Sequence, residues 1–120
     1  IPEYLKRQSD LKNAGVSEVI IFCVNDGAVM QAWAKDQGVK TESLLTLFGD
    51  PHADLTKALE MQLTHPGPVK GKGLVNRCKR CAYVIEDCIV KAIAVAEKED
   101  DPAGDDYPEL TMVDNMLKLC

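Results

Sequence analysis

The chain has 120 residues, 46% of them apolar and 28% charged, with a net charge of −5 and a pI near 5.0. That length and balance fit one globular domain of mixed α/β character and speak against a phosphate-backbone partner, because the only basic cluster, Arg77-Lys79-Arg80, is short. Apolar runs such as Val19 to Val24 fall far short of the ~20 residues of a membrane-spanning helix, and no basic-then-apolar leader pattern opens these residues.

In chain order, Pro2 suits a first helical position, Tyr4, Leu5 and Leu11 mark an apolar face, and Ala14-Gly15 supplies a stop, which predicts a helix over 2–14. Glu18 to Val24 is nearly all apolar and rich in β-branched residues, the pattern of a strand buried on both faces of a parallel sheet. Asn25-Asp26 caps a second helix with Val29, Met30 and Trp33 as its stripe and Gly38 at its left-handed terminus. Leu44 to Phe48 reads as another strand. Asp50-Pro51 then opens a helix carrying Leu55, Ala58, Leu59 and Leu63.

The proline- and glycine-rich stretch from His65 to Gly73 predicts a loop, and the apolar runs Cys81 to Glu86 and Ile89 to Val95 about Asp87-Cys88 predict an antiparallel hairpin. All four strands are expected in one mixed sheet. The carboxylate-dense stretch from Glu97 to Glu109 reads as a solvated surface excursion, with docking to a basic surface as its alternative. Thr111-x-x-Asp114 has the form of a capping box before a helix whose stripe is Val113, Met116, Leu117 and Cys120.

Five cysteines, odd in number and without a regular framework, point to reduced intracellular thiols, with no distinction among cytosol, mitochondrion and plastid. Cys78-Lys79-Arg80-Cys81 is formally a Cys-x-x-Cys pair. In an extended segment, however, residues three apart face opposite sides, and Cys88, Cys120, His52 and His65 show no spacing that would complete a zinc site, so no metal or cofactor is expected. Cys23 within the first strand reads as a small buried apolar residue.

Several stretches in this order resemble the type II (atypical, peroxiredoxin-5-like) peroxiredoxins. They are Pro2 with Leu11-Lys12-Asn13-Ala14-Gly15-Val16, Val24-Asn25-Asp26 leading into Val29-Met30-x-x-Trp33, and Asp50-Pro51 with Thr56-Lys57-Ala58-Leu59. Lys79-Arg80-x-Ala82-x-Val84 running to Asp87 and Val90-Lys91-Ala92, and finally Asp114-Asn115-Met116-Leu117, complete the set. The resemblance implies a thioredoxin-like fold, a mixed sheet flanked by helices, over a single redoxin domain 1–120. It also implies a thiol peroxidase that reduces hydrogen peroxide and alkyl hydroperoxides, draws electrons from a thioredoxin or glutaredoxin, and pairs as a homodimer.

In that family a Pro-x-x-x-Thr-x-x-Cys motif precedes the segment matching Ile1, and an arginine matched by Arg80 stabilises the cysteine thiolate and the peroxide oxygens. No Thr-x-x-Cys occurs in these 120 residues. Of the thiols present, Cys23, Cys78 and Cys81 are the candidates for resolving or redox work. Cys88 stands where the family has a hairpin glycine. Beginning at Ile1, the domain is expected to be amino-terminally incomplete and to lack the central strand of its sheet. That strand would come from an upstream segment or a protein partner. The alternative to a peroxidase is a catalytically silent accessory subunit serving as an interaction module.

Overall fold

The computed structural model describes residues 1–120. Helix α1 (Pro2–Lys6) and helix α2 (Gln8–Asn13) occupy the span read as one helix, divided at Arg7, where the backbone relaxes to φ −102 and ψ 18. The hydrogen-bond ladder continues through the break, since Arg7 N–H donates to Glu3 O and Leu11 N–H to Arg7 O. Arg7 is held there by the carboxylates of Asp10 and Asp114. The helical stop falls where Gly15 takes φ +89.

Strand β1 (Val19–Cys23) and strand β2 (Leu45–Gly49) pair in parallel, from Val19 opposite Leu45 to Cys23 opposite Gly49. Between them, helix α3 (Gly27–Asp36) starts as expected, with the Asp26 carboxylate accepting from Val29 N–H at 2.9 Å, and stops before Gly38 at φ +71. Helix α3 lies against β2 and buries Met30 fully, but Val29 and Trp33 stay substantially exposed. The reading of β1 as buried on both faces also needs correction. Val19 and Ile21 pack with Leu11, Leu44, Leu45 and Val113 in the core, while Ile20 is 56% exposed and Phe48 of β2 is 51% exposed.

Helix α4 (Asp54–Ala58) is shorter than the Asp50-to-Leu63 reading, because Ala53 adopts a left-handed φ of 56 and delays the helix. Asp50 still caps it from a distance, accepting from Leu55 N–H and Thr56 N–H. The predicted 65–73 loop contains a π-helical turn, Gly67–Gly71. Beyond it, strands β3 (Cys81–Glu86) and β4 (Ile89–Val95) form the expected antiparallel hairpin. Asp87 and Cys88, at φ 50 and 63, supply the doubly left-handed turn that matches strand twist.

The four strands do not share one sheet: β1 and β2 make one two-stranded sheet, and β3 and β4 another. The halves are tied by Arg77 Nη1, which donates to Val24 O at 2.9 Å, and by helix α5 (Val113–Leu119), which packs Val113 and Leu117 into the core beside β1 and also lies against β3.

The acidic stretch is the expected surface excursion, with Glu99, Asp100, Asp105, Asp106 and Glu109 exposed, but it is ordered around one buried carboxylate. Asp101 is 4% exposed, and its carboxylate gathers the N–H groups of Asp105, Asp106 and Tyr107 into a tight turn. The 3-10 turn Pro108–Thr111 follows. Thr111 donates its hydroxyl to Pro108 O, so Met112 takes the N-cap of α5 and the capping box does not form. Cys120, read as part of the apolar stripe, is exposed at the end of α5.

Candidate functional site

Arg80 sits at the bend that leads into β3, its carbonyl accepting from Ala96 N–H beyond the end of β4. The guanidinium is partly exposed and pairs with Asp105, Nη2 to Oδ1 at 2.7 Å. It also lies near the amino end of α1. The Ile1 amino group has its pKa lowered first by burial and next by the charge of Arg80. Lys79, its neighbour, pairs with Glu97 at 2.5 Å. The ordered acidic turn therefore engages both cations of the Lys79-Arg80 pair, a contact that the charge run alone did not predict.

The largest departure from the sequence reading is at the two flanking cysteines. Their side chains converge, Sγ to Sγ 3.9 Å, instead of facing opposite sides. The reason is local. Cys78 belongs to an isolated antiparallel bridge with Gln62, the chain bends at Arg80, and β3 begins only at Cys81, so the alternation of a continuous strand never applies between them. The intervening cations are drawn off to Glu97 and Asp105, which leaves the two sulfurs facing each other.

The pair is asymmetric. The hydrogen bond shared by the two sulfurs brings the Cys78 pKa down to about 7 against the opposing effect of burial and, with burial, pushes Cys81 up. Thr56 also favours the Cys78 thiolate, but its single hydroxyl proton is committed to Asp50 Oδ2 at 2.8 Å. Cys81 is thus the partner that matters. Tyr83, two residues along β3 and on the face of Cys81, has a buried hydroxyl without a hydrogen-bond partner. Burial first, and then the nearness of Cys81 and Cys78, raise its pKa to about 12.

Cys23, at the end of β1, is half-buried. Its thiol pKa is raised by burial and then by Cys78, with Arg77 opposing. Cys88 and Cys120 are exposed and free. No three His, Cys, Asp or Glu side chains come together in a metal-holding arrangement. An open cleft of about 470 Å³ beside Gln8, Lys12, Lys40 and Glu42 contains neither Arg80 nor any cysteine. No helix is long and apolar enough to cross a membrane.

Sequence reasoning singled out Arg80, Cys23, Cys78 and Cys81 but missed Asp50, Thr56, Tyr83 and Asp105. The spacing of Cys81 and Tyr83 along one strand face was a usable signal for Tyr83. Nothing local to Asp105 pointed to Arg80.

The redoxin family model matches residues 1–111. Among curated proteins, the chain is 32% identical over 87 residues to peroxiredoxin-2B of Arabidopsis thaliana, covering 72% of this chain and 50% of that protein. It is 29% identical over 97 residues to the chloroplastic peroxiredoxin-2E of the same plant, covering 81% of this chain and 40% of that one. The chain thus spans half or less of these relatives' length. Among solved structures, reduced Prx3 from Vibrio vulnificus superposes with a TM-score of 0.77 at 26% identity over 98% of this chain and 66% of that one. Peroxiredoxin 5 from Alvinella pompejana does so with a TM-score of 0.65 at 32% identity over 86% of this chain and 61% of that one. By the extent of the family match, and by a fold shared almost end to end with solved peroxiredoxins, this chain belongs to the redoxin family, among its thioredoxin-fold peroxiredoxins.

Proposed function

We propose that residues 1–120 are a single redoxin domain of a thiol peroxidase that reduces hydrogen peroxide and alkyl hydroperoxides, with Arg80 as the residue that stabilises the reacting thiolate. The observation that carries this reading is the placement of Arg80 within electrostatic reach of the amino end of α1. A cysteine thiolate held there would meet the helix's positive end and a guanidinium that never loses its charge. In the reaction the thiolate attacks one peroxide oxygen, the O–O bond breaks heterolytically, and the leaving oxygen departs as water or alcohol. The thiol becomes a sulfenic acid. Fixed N–H donors from Arg80 favour both the attacking thiolate and the departing oxygen.

No Thr-x-x-Cys lies within residues 1–120, so on this reading the peroxidatic thiol is supplied by protein outside them. The same segment, or a partner chain, would fill the place between β1 and β3. A thioredoxin or glutaredoxin is the reductant class that fits, and a homodimer the assembly.

A second reading, a catalytically silent accessory subunit, is favoured by the Arg80–Asp105 ion pair, because Asp105 takes up one guanidinium donor and offsets the charge that a thiolate would use. Peroxide consumption with a thiol reductant separates the two. Protein from its native source should turn over, and Arg80→Ala should lower kcat/KM about 10²-fold or more. The 120-residue polypeptide alone should not turn over. Native protein that binds its partners yet consumes no peroxide selects the accessory reading. Turnover by the 120-residue polypeptide, abolished in Arg80→Ala, would mean that one of its own thiols has taken the role.

A further inference from the structure

We propose that Cys78 and Cys81 form a redox-active dithiol that reduces disulfides by thiol–disulfide exchange, with Cys78 as the attacking sulfur and Cys81 as the resolving one. The geometry is that of a pair poised to close. The sulfurs stand 3.9 Å apart and face each other, within reach of the ~2.05 Å bond of a disulfide once both thiols lose their protons. Both residues are partly exposed, so a small disulfide can approach. Bridge pairing to Gln62 on one side and strand pairing to Val95 on the other fix the two backbones.

The contact between the two sulfurs lowers the Cys78 thiol pKa and, with burial, raises that of Cys81, which favours Cys78 as the thiolate and Cys81 as the sulfur that keeps the proton. In the first step the Cys78 thiolate attacks one sulfur of R–S–S–R. A Cys78–S–S–R bond forms, the S–S bond of the substrate breaks, and RS⁻ leaves to take up a proton. In the second, Cys81 gives up its proton, attacks the Cys78 sulfur of the mixed disulfide and expels the second RS⁻. The net change is R–S–S–R plus a dithiol going to two R–SH plus the Cys78–Cys81 disulfide, with both protons accounted for. The unpartnered Tyr83 hydroxyl, on the strand face of Cys81, is the donor available to the Cys81 sulfur as it loses its proton.

This inference is independent of the peroxidase reading, since it uses neither a peroxide nor Arg80. It rests on two thiols within residues 1–120. The test uses the full 120-residue chain, reduced and then treated at pH 7 with one equivalent of an aromatic disulfide, 5,5′-dithiobis(2-nitrobenzoate). The chain should release two equivalents of aryl thiolate. Trypsin cleaves after Lys79 and Arg80, so after free thiols are alkylated the fragments bearing Cys78 and Cys81 should remain joined only by their disulfide. Cys81→Ser should release one equivalent, half the parent yield, and hold the aryl group on Cys78. Cys78→Ser should lose the coupled release. Circular dichroism checks that both variants keep the parent fold, and serine in place of cysteine leaves the backbone pairing intact. A mixed disulfide confined to exposed Cys88 or Cys120, a bridge linking Cys78 to Cys23, or two-equivalent release that survives Cys78→Ser would each overturn the assignment.

Discussion

Cys88 is a non-glycine residue held at φ 63 in a turn whose neighbour Asp87 is also left-handed, and its side chain is exposed. A β-carbon in that region costs about 1–2 kcal/mol, which glycine avoids at the expense of a looser unfolded chain. Cys88→Gly should therefore raise stability by about 0.5–1 kcal/mol, read as a higher urea midpoint at unchanged slope. A lower midpoint would mean that the Cys88 side chain makes contacts that outweigh the strain. Asp50 is the opposite case, a carboxylate whose exchange should hurt. Its hydrogen bonds to Leu55, Thr56 N–H and the Thr56 hydroxyl hold the start of α4, and Asp50→Ala, which orphans them, should cost about 1–3 kcal/mol. Burial alone would raise the Asp50 and Asp101 pKa values, but in each the backbone N–H donors prevail and both fall below the ordinary 3.8. Groups depressed on folding contribute stability above the unfolded pKa and lose it as pH falls through the folded value. The urea midpoint should accordingly drop below pH ~4, and less steeply in an Asp50→Asn, Asp101→Asn double variant. At this scale the sequence spoke well for the Asp26 cap, where one residue and its chain neighbours decide the outcome. It was silent on Asp105 and wrong on the facing of Cys78 and Cys81, because a bend and a bridge to Gln62, distant in sequence, set where those side chains point.

Among the elements, β1, β2 and the hairpin were legible because runs of β-branched residues between turn residues leave few alternatives. The helix ends were less so. Thr111 spends its hydroxyl on Pro108 O instead of on the first turn of α5, and a left-handed Ala53 delays α4 past Pro51, and neither choice is visible in residue type. The junction between β1 and α3 is held by the close pass of Gly49, where an added β-carbon would stand 2.5 Å from Asn25 O. That neighbour is backbone and cannot swing aside. Gly49→Ala should destabilise by about 1–3 kcal/mol, the cost of overpacking a well-packed site. A variant with parental thermal midpoint would show that the β2 end is free to shift.

For the molecule as a whole, the reading of β1 through β4 as one sheet failed, since β1 and β2 form one two-stranded sheet and β3 and β4 another. Exposed apolar side chains on both halves, Ile20 and Phe48 on one, Ile85 and Ile93 on the other, fit surfaces built to be covered. An unpaired strand edge buried without a partner costs about 1–3 kcal/mol per orphaned group, a heavy charge against a domain stability of about 5–15 kcal/mol. The central proposal is that the two half-sheets are parts of one sheet, completed by a strand from outside residues 1–120. Amide hydrogen exchange tests it most directly, comparing the 120-residue polypeptide with the native protein in its assembled form. The account predicts that amides on the facing edges of β1 and β3 exchange rapidly in the isolated polypeptide and become protected in the native protein. Equal and strong protection of those edges in a monodisperse 13.2 kDa monomer would contradict it.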